Sequence, residues 1–552
     1  MQRPASTRLP AELWDLILIW LNDGRTEHRL TLVSRWFRDR FNRVVWREIP
    51  HVHRLLDLLI SGRSFKLIQT PELLRKGVIE PGAVIRNKQM TMLVDLSRAA
   101  RLRELGLHLR VLYIQFSVLP LRLHVELDNL RLNYGFPIAR EQPLLPNLQE
   151  LHIRHPSDDK QDTYPNPQVS PDDACHWFML LASPSVKVAS LFCTGLAPDP
   201  ILLVARAPSI STLRVELARE SGPLTIEPPG RPAGAEWVPN LHAWAQNLSD
   251  AMAQWVLTSL IVDGHFFQDP DVIMTVGTVA RLQSLRLVRA TDSLPWVGLL
   301  QMQEAPFQGL KLLDLDWVSI DVATAILSQP EISRAIETLR WKVLDDTEDV
   351  EDVAEAFERF VVSGNGASSL KELYLYDPSS SSRLAGMWSS KRVRGSIERL
   401  ELDRLAIRFP EPTHLLSGDF DPCGFGDKLR SLELRYLVVP WQLLRMISAS
   451  YPQLEKLRLI YEPGNIDSAW LDKKYPGWSQ ASSRVCGGRN FTLLLNVAPH
   501  DLYRSSRKVG SQKAPGAVKK LRKIWPGIRL VEDVEAHTKG DTELLASMIG
   551  HP

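Results

Sequence analysis

The chain has 552 residues, too many for one ordinary hydrophobic core, so it is either several domains or an array of repeats. Its 44% hydrophobic and 24% charged residues are usual for a globular protein, and 66 basic residues against 64 acidic ones leave a net charge of +2. That balance excludes a global attraction to nucleic acid or to an anionic membrane, and we expect neither as a partner.

The cysteines and the hydropathy pattern bear on where the protein works. Cys175, Cys193, Cys423 and Cys486 match no zinc or redox spacing and are too sparse for a disulfide framework, so we expect reduced, mostly buried thiols. No apolar run approaches the roughly 18 residues that a membrane span needs, and nothing resembles a secretory signal. These features predict a soluble protein of the cytoplasm, the nucleus or both.

The first fifty residues predict three short amphipathic helices. Pro10 suits the first helical position, and Glu12 lies in the first turn, where the helix dipole favours a carboxylate. The apolar residues that then follow helical spacing are Leu13, Leu16, Ile17, Trp20 and Leu21. After a break at residues 22–24, two further apolar groups are Leu30, Leu32 and Val33, then Trp36, Phe37 and Phe41. So small a core gains much of its stability from a docked partner.

These residues resemble the F-box motif, which in its family binds the small adaptor subunit of SCF-type cullin–RING ubiquitin ligases. The resemblance covers residues 7–48 and combines two separated signatures. The adaptor-binding residues that it implies are Leu9, Pro10, Glu12, Leu13, Ile17, Leu21, Leu30, Val33, Ser34 and Trp36. The chain departs from the family at residues 26–28, Thr-Glu-His, where a leucine usually opens the second helix soon after the break. The alternative is that these fifty residues only cap the apolar end of a repeat array.

From about residue 100 onward, the pattern L-x-x-L-x-L recurs. Copies begin at Leu127, Leu148, Ile210, Leu257, Leu282, Leu310, Ile336, Leu370, Ile397, Leu429 and Leu454, with a weaker one at Val188. From Leu257 the starts lie 25 to 34 residues apart, at or somewhat above the period of a leucine-rich repeat. Alternating L-x-L places the leucines inward on a short strand, and stacked repeats pair these strands into a parallel sheet.

The expected fold is therefore α/β: an N-terminal three-helix F-box followed by an irregular leucine-rich-repeat solenoid, with parallel strands on the concave side and helices and loops outside. The repeats resemble the degenerate leucine-rich region of fungal F-box proteins. The expected boundaries are 1–50 for the adaptor-binding helices, 51–100 for linking helices and the first repeats, 101–490 for the solenoid, 491–537 for a C-terminal cap and 538–552 for a loose tail. Within these, a helix is predicted at 349–360 and another at 517–525, with strands at 491–497 and 528–531.

Side chains between the inward leucines are predicted to line the concave face. Their charges alternate in sign and two tyrosines lie near the middle, which suits a protein or peptide better than a phosphate backbone. The candidate target-binding residues are Arg340, Tyr374, Tyr376 and Arg399. The alternative for each of them is an ordinary solvated strand residue.

Three other features of the sequence do not lead to a functional prediction. The basic segment 504–523 is either a nuclear-import signal, a nucleic-acid patch or, more simply, a solvated loop and helix face. His51 and His53 have no third ligand nearby, so neither a metal nor another cofactor is expected. No phosphate-binding loop, nucleophile elbow or zinc-protease motif occurs, and no catalytic residue is predicted.

The sequence thus predicts a non-catalytic substrate receptor of an SCF-type ubiquitin ligase. The F-box would bind the adaptor, and the solenoid would hold a target protein for a separate enzyme to ubiquitinate. Two alternatives stay open. One is a leucine-rich scaffold for protein interactions with no ubiquitin-ligase role, and the other is an enzyme whose residues converge only in three dimensions.

Overall fold

The structure of the chain is a computed structural model. It describes residues 46–49, 65–69, 90–95, 104–115, 122–126, 143, 145–154, 181–193, 200–217, 237–264, 273, 276–279, 281–290, 307–343, 359–360, 369–376, 402–414, 425, 428–440, 446–447, 450–462, 492–497 and 529–532. The chain divides into two compact units, residues 1–266 and residues 267–552, and each is α/β in its described part.

The described part of the first unit consists mainly of short strands. The strands are β1 (Glu48–Ile49), β2 (Phe65–Gln69), β3 (Met90–Asp95), β4 (Val111–Gln115), β5 (Arg122–Glu126), β6 (Glu150–Arg154), β7 (Val188–Cys193), β8 (Thr212–Leu217) and β9 (Ser259–Asp263), and the helices are α1 (Pro200–Arg206) and α2 (Trp237–Gln254). β1, β4, β6, β7, β8 and β9 lie side by side in that order, each parallel to the next. One buried apolar residue from each occupies the same register position: Ile49, Leu112, Leu151, Ala189, Leu213 and Leu260.

A second, smaller sheet of the first unit contains β2, β3 and β5. β2 and β3 are antiparallel, whereas β3 and β5 are parallel. The sequence predicts linking helices and the first repeats over residues 51–100. The described residues of that range, β2 and β3, belong to this sheet, and the others lie outside the described residues. The apolar runs of β2 and β3 have the length of a strand rather than of a helix, and no L-x-x-L-x-L pattern marks them.

The described strands of the second unit form one parallel ladder. They are β10 (Ser284–Val288), β11 (Leu312–Val318), β12 (Thr338–Val343), β13 (Glu372–Tyr376), β14 (Arg404–His414), β15 (Ser431–Pro440), β16 (Lys456–Glu462), β17 (Thr492–Val497) and β18 (Arg529–Glu532), and the helices are α3 (Ile320–Leu327) and α4 (Pro330–Ala335). Each strand pairs in parallel with the next in chain order. The predicted strands at 491–497 and 528–531 are confirmed as β17 and β18.

The inward leucines of the second unit stack in register, as the pattern predicts. One row consists of Leu285, Leu313, Leu339, Leu373, Leu405, Leu432 and Leu457, all buried. Full burial of one such side chain contributes roughly 1.5–3 kcal/mol relative to leaving it in water, so the row is a main source of the ladder's stability. The prediction of a parallel sheet built on alternating leucines is therefore confirmed for the described strands of the second unit.

Two copies of the pattern differ in phase from the prediction, and one further copy was not predicted. The copy predicted to begin at Ile397 is displaced by five residues, because β14 pairs Leu405 with Leu373 and thus follows the set Leu402, Leu405 and Ile407. The copy predicted at Val188 begins instead at Val186, since Ala189 and Leu191 take the leucine positions. A further copy is Leu109, Leu112 and Ile114, which supplies β4, while the copy predicted at Leu127 lies outside the described residues.

Between β11 and β12, two short helices complete one repeat of the second unit. Ser319 caps α3, its side chain accepting a hydrogen bond from the Val322 N–H at 3.4 Å. α3 buries six residues against the unit: Ile320, Val322, Ala323, Ala325, Ile326 and Leu327. Of the helix predicted at 349–360 only residues 359–360 are described, and they are helical, whereas the helix predicted at 517–525 lies outside the described residues.

A buried tyrosine ties two segments of the second unit together. Tyr451 is fully buried, and its hydroxyl accepts a hydrogen bond from the Phe425 N–H at 3.2 Å. We expect Tyr451→Phe to lower the free energy of unfolding by about 1–2 kcal/mol, because the buried N–H loses this acceptor. Urea unfolding checks it: the midpoint should fall at an unchanged m-value, and an unaltered midpoint would show that the N–H has another acceptor.

Candidate functional site

One side of the second unit's ladder carries polar and aromatic residues, and we call it the polar face. Because successive side chains of a strand point to opposite sides, the residues between the buried leucines share this side. At one register level they are Arg286, Asp314, Arg340, Tyr374, Ala406 and Glu433, and at the next level Val288, Asp316, Lys342 and Tyr376. Neighbouring strands lie about 4.8 Å apart, so these side chains interact directly across the ladder.

Two buried carboxylates of the polar face lie beside an arginine. Arg286 Nη2 lies 2.6 Å from Asp316 Oδ2, and Arg286 Nε lies 3.6 Å from Asp314 Oδ2. Lys342 Nζ approaches Asp316 Oδ1 at 3.5 Å from the next strand. Burial nonetheless raises the pKa of Asp314 to about 6, because its 7% exposure removes most hydration and the Arg286 charge only partly compensates.

Two cations of β12 lie over aromatic rings. Arg340 lies 5.0 Å from the centroid of the Tyr374 ring. Lys342 Nζ lies 4.0 Å from the centroid of Trp317 and 5.2 Å from that of Tyr376. Trp317 reaches this position through an irregularity between Asp316 and Val318, where its backbone adopts a φ of 60°. Each such contact contributes about 0.5–1 kcal/mol at a partly exposed site and fixes the orientation of the cation.

Glu372 links the tyrosine of β13 to an arginine of β14. The Tyr374 hydroxyl donates a hydrogen bond to Glu372 Oε2 at 3.2 Å, and Arg404 Nη1 lies 3.2 Å from Glu372 Oε1. Burial, and then the adjacent Glu372 charge, raise the pKa of Tyr374 above its ordinary value. Tyr374 therefore stays a neutral hydrogen-bond donor at physiological pH, with its ring edge and hydroxyl held in place.

Three of the four candidate target-binding residues come together on the polar face. Arg340 pairs in register with Tyr374, and Tyr376 lies two residues further along the same strand. Arg399 lies outside the described residues, and the register position beside Tyr374 belongs to Ala406, with Arg404 two residues before it. All ten candidate adaptor-binding residues, from Leu9 to Trp36, also lie outside the described residues.

Several members of this cluster were not singled out from the sequence as binding residues. They are Arg286, Asp314, Asp316, Trp317, Lys342, Glu372 and Arg404. The period of two does place most of them on one side, but alternation alone does not rank them. The contacts between neighbouring strands distinguish these residues, and those contacts depend on which strands are neighbours.

The first unit has a smaller polar cluster across three of its strands. His152 bonds Ser190 Oγ through Nδ1 at 3.0 Å and Glu150 Oε2 through Nε2 at 3.2 Å, and its ring stacks on Tyr113 with centroids 4.7 Å apart. The hydrogen bond from His152 lowers the pKa of Glu150.

These groups have the chemical types of a nucleophile, a base and an orienting acid. Ser190 lies within β7, however, which pairs with β6 on one side and β8 on the other. Its strand's N–H groups therefore belong to the ladders and cannot stabilise an oxyanion. The cluster is a polar bridge between strands.

The described ranges also bear on metal and membrane binding. No group of three or more His, Cys, Asp or Glu residues there could hold a metal ion. None of the helices described is long and apolar enough to cross a membrane.

Two comparisons with known proteins found no similarity. No protein-family model matches the chain, and a search of curated proteins returned no significant match.

Proposed function

We propose that this chain is a non-catalytic substrate receptor of an SCF-type ubiquitin ligase. Its N-terminal residues bind the adaptor subunit, and the polar face of the second unit binds a target protein. The observation that supports recruitment most directly is the cluster of Arg340, Lys342 and Tyr374 on a ladder of buried leucines. Tyrosine and arginine are the residues that most often carry protein-binding energy, and a packed sheet holds them in fixed geometry.

Support for the adaptor side comes from the sequence. The two separated signatures between Leu9 and Trp36 resemble an F-box, and the chain enters the ladder of the first unit soon afterwards, at β1. The three short helices that the sequence predicts there suit a docking element, because a core of that size is too small to be stable without further contacts.

The proposed mechanism needs no chemistry from this chain. A bound target has its lysines held near the transferring enzyme, which raises their effective concentration and favours transfer over loss of the target. Affinity and geometry are thus what the receptor contributes.

The adaptor prediction is tested by co-expression with the adaptor subunit and size-exclusion chromatography. We expect the wild-type chain to co-elute with the adaptor and the triple variant Leu9→Ala, Pro10→Ala, Trp36→Ala to elute alone. A matched control is the triple variant Leu107→Ala, Ile201→Ala, Val256→Ala, which removes three exposed apolar side chains of the first unit and should still co-elute.

Two outcomes would contradict the proposal. A wild-type chain that is folded and does not bind the adaptor favours the scaffold with no ubiquitin-ligase role, with the N-terminal residues as its cap. Co-elution that survives the Leu9, Pro10 and Trp36 substitutions places the adaptor contact elsewhere in the chain.

A further inference from the structure

The charge of the polar face changes sign along the ladder of the second unit. On β10 and β11 it has Arg286 against the carboxylates Asp314 and Asp316. From β12 to β16 the described side chains on this side include four cations, Arg340, Lys342, Arg404 and Lys456. Register positions 408, 435 and 458 belong to the same side and are all arginines.

We call this side of β12–β16 the basic strip. By register it has seven basic positions against three acidic ones, Glu372, Glu433 and Glu462, although the whole chain has a net charge of only +2. Clustered charge on a protein of balanced composition produces a local potential that selects and steers an oppositely charged partner.

Within the strip, Arg340 differs from the other cations whose side chains are described. Lys342 lies 3.5 Å from Asp316, Arg404 lies 3.2 Å from Glu372, and Lys456 lies 2.7 Å from Glu433. In the described part of the chain Arg340 has no carboxylate within salt-bridge distance, and its Nε is buried without a hydrogen-bond partner.

The neighbours of Arg340 hold its guanidinium in position. The centroid of the Tyr374 ring lies 5.0 Å from the Arg340 guanidinium, and Glu372 accepts a hydrogen bond from the Tyr374 hydroxyl. A partly exposed guanidinium that is already oriented loses little side-chain entropy when a carboxylate arrives, and an arginine pairs with a carboxylate through two parallel hydrogen bonds.

We infer that the basic strip binds an acidic segment of the target protein, with an aspartate or glutamate carboxylate of that segment paired to Arg340. This inference rests on the proposed recruiting function of the polar face and adds the chemical class of its partner. Charge complementarity favours an acidic partner over a neutral or basic one.

Two features favour a protein over a nucleic acid. Glu372 and Glu433 lie within the strip and repel a phosphate backbone, whereas an acidic peptide can place its carboxylates beside the cations only. The rings of Tyr374 and Tyr376 also each have a cation over them, so they are poor platforms for stacking successive bases.

The first experiment selects from a displayed library of random peptides of about 12 residues on the immobilised full chain. We expect aspartate and glutamate to rise at least about twofold over the input library, and Arg340→Gln to lose most of this enrichment. The matched control Arg281→Gln removes an exposed arginine of the same unit outside the strip and should select the same peptides as wild type.

The second experiment measures the Kd of the best selected peptide by fluorescence anisotropy. We expect Arg340→Gln to raise the Kd about tenfold or more, because a charge-assisted hydrogen bond to a carboxylate is lost. The Kd of Arg340→Lys should lie between those of wild type and Arg340→Gln, since lysine keeps the charge but cannot form two parallel hydrogen bonds. Arg404→Gln, at an exposed position of the strip, should raise the Kd about threefold. It replaces Arg340→Gln as the test variant if Arg340→Gln lowers the unfolding midpoint.

Three results would overturn the inference. They are selected peptides without acidic enrichment, equal binding by wild type and by both the Arg340→Gln and Arg404→Gln variants, and a single-stranded oligonucleotide that binds more tightly than the acidic peptide. None of them depends on the adaptor, so a failure here leaves the adaptor test intact. Peptide binding without adaptor binding, conversely, would support the basic strip and contradict the ligase role.

Discussion

Replacing Trp341 with alanine lowers the free energy of unfolding by about 3–5 kcal/mol, the range expected for removing a buried aromatic side chain. Trp341 is 2% exposed and is among the largest fully buried side chains of the described residues. Its register position lies between Leu315 of β11 and Leu375 of β13, two residues further along the strands than the row of buried leucines, so the truncation opens a cavity beside that row. Urea unfolding of both proteins measures the difference.

A conservative variant at the same position separates packing from polarity. The indole N–H of Trp341 is buried with no hydrogen-bond partner in the described part of the chain. Trp341→Phe leaves a smaller cavity and removes that N–H. It should therefore lower the free energy of unfolding by about 1.5 kcal/mol or less, clearly less than Trp341→Ala does. Equal losses for the two variants would show that the aromatic volume does not stabilise the ladder.

Asp314→Asn is expected to stabilise the protein above pH 6. The pKa of Asp314 is raised from its ordinary 3.8 to about 6, first by desolvation, with Arg286 lowering it only in part. The folded state therefore holds the proton more tightly than the unfolded state. The stabilisation from the protonated Asp314 carboxyl is fully present below pH 4 and is lost as the pH rises through about 6.

The size of this effect follows from the pKa shift. A shift of about two units corresponds to at most about 3 kcal/mol between the protonated and ionised forms. Asparagine resembles the protonated carboxyl and does not ionise, so the variant should match wild type near pH 4 and exceed it by about 1–3 kcal/mol at pH 7.5.

The measurement is urea unfolding of wild type and Asp314→Asn between pH 4 and 7.5. Asp321→Asn is the control, because it removes an exposed carboxylate of the same unit, in the first turn of α3, and so reports the loss of charge without the burial. A difference between wild type and Asp314→Asn that does not change with pH would mean that Asp314 is not the group that titrates near pH 6.

Local pattern accounts for most of what the sequence predicted correctly. The spacing of Leu370, Leu373 and Leu375 already indicates a strand with one apolar side, and the repeated copies indicate that such strands lie parallel. The same alternation places Arg340, Tyr374 and Tyr376 on the opposite, polar side. The type of element and the side that each residue occupies follow from a period of two, which needs no knowledge of the rest of the chain.

The phase of the strands depended on tertiary contacts. Ile397, Leu400 and Leu402 fit the pattern as well as Leu402, Leu405 and Ile407 do, and only the pairing of β14 with β13 selects the second set. As a result, the arginine that lies beside Glu372 is Arg404, whereas the predicted phase would have placed Arg399 there. A shift of five residues also exchanges the two sides of a strand, because five is an odd number of residues.

The sequence by itself determined the α/β class, the parallel ladder and the polar character of one side, because hydrophobic periodicity is a local property of the chain. The tertiary structure alone decided which charges meet. Asp316 pairs with Arg286 of one neighbouring strand and Lys342 of the other, and the irregularity after Asp316 brings Trp317 to Lys342. Such partners lie some 25 to 30 residues apart in the chain, and only hydrogen bonding between specific strands brings them within 4 Å.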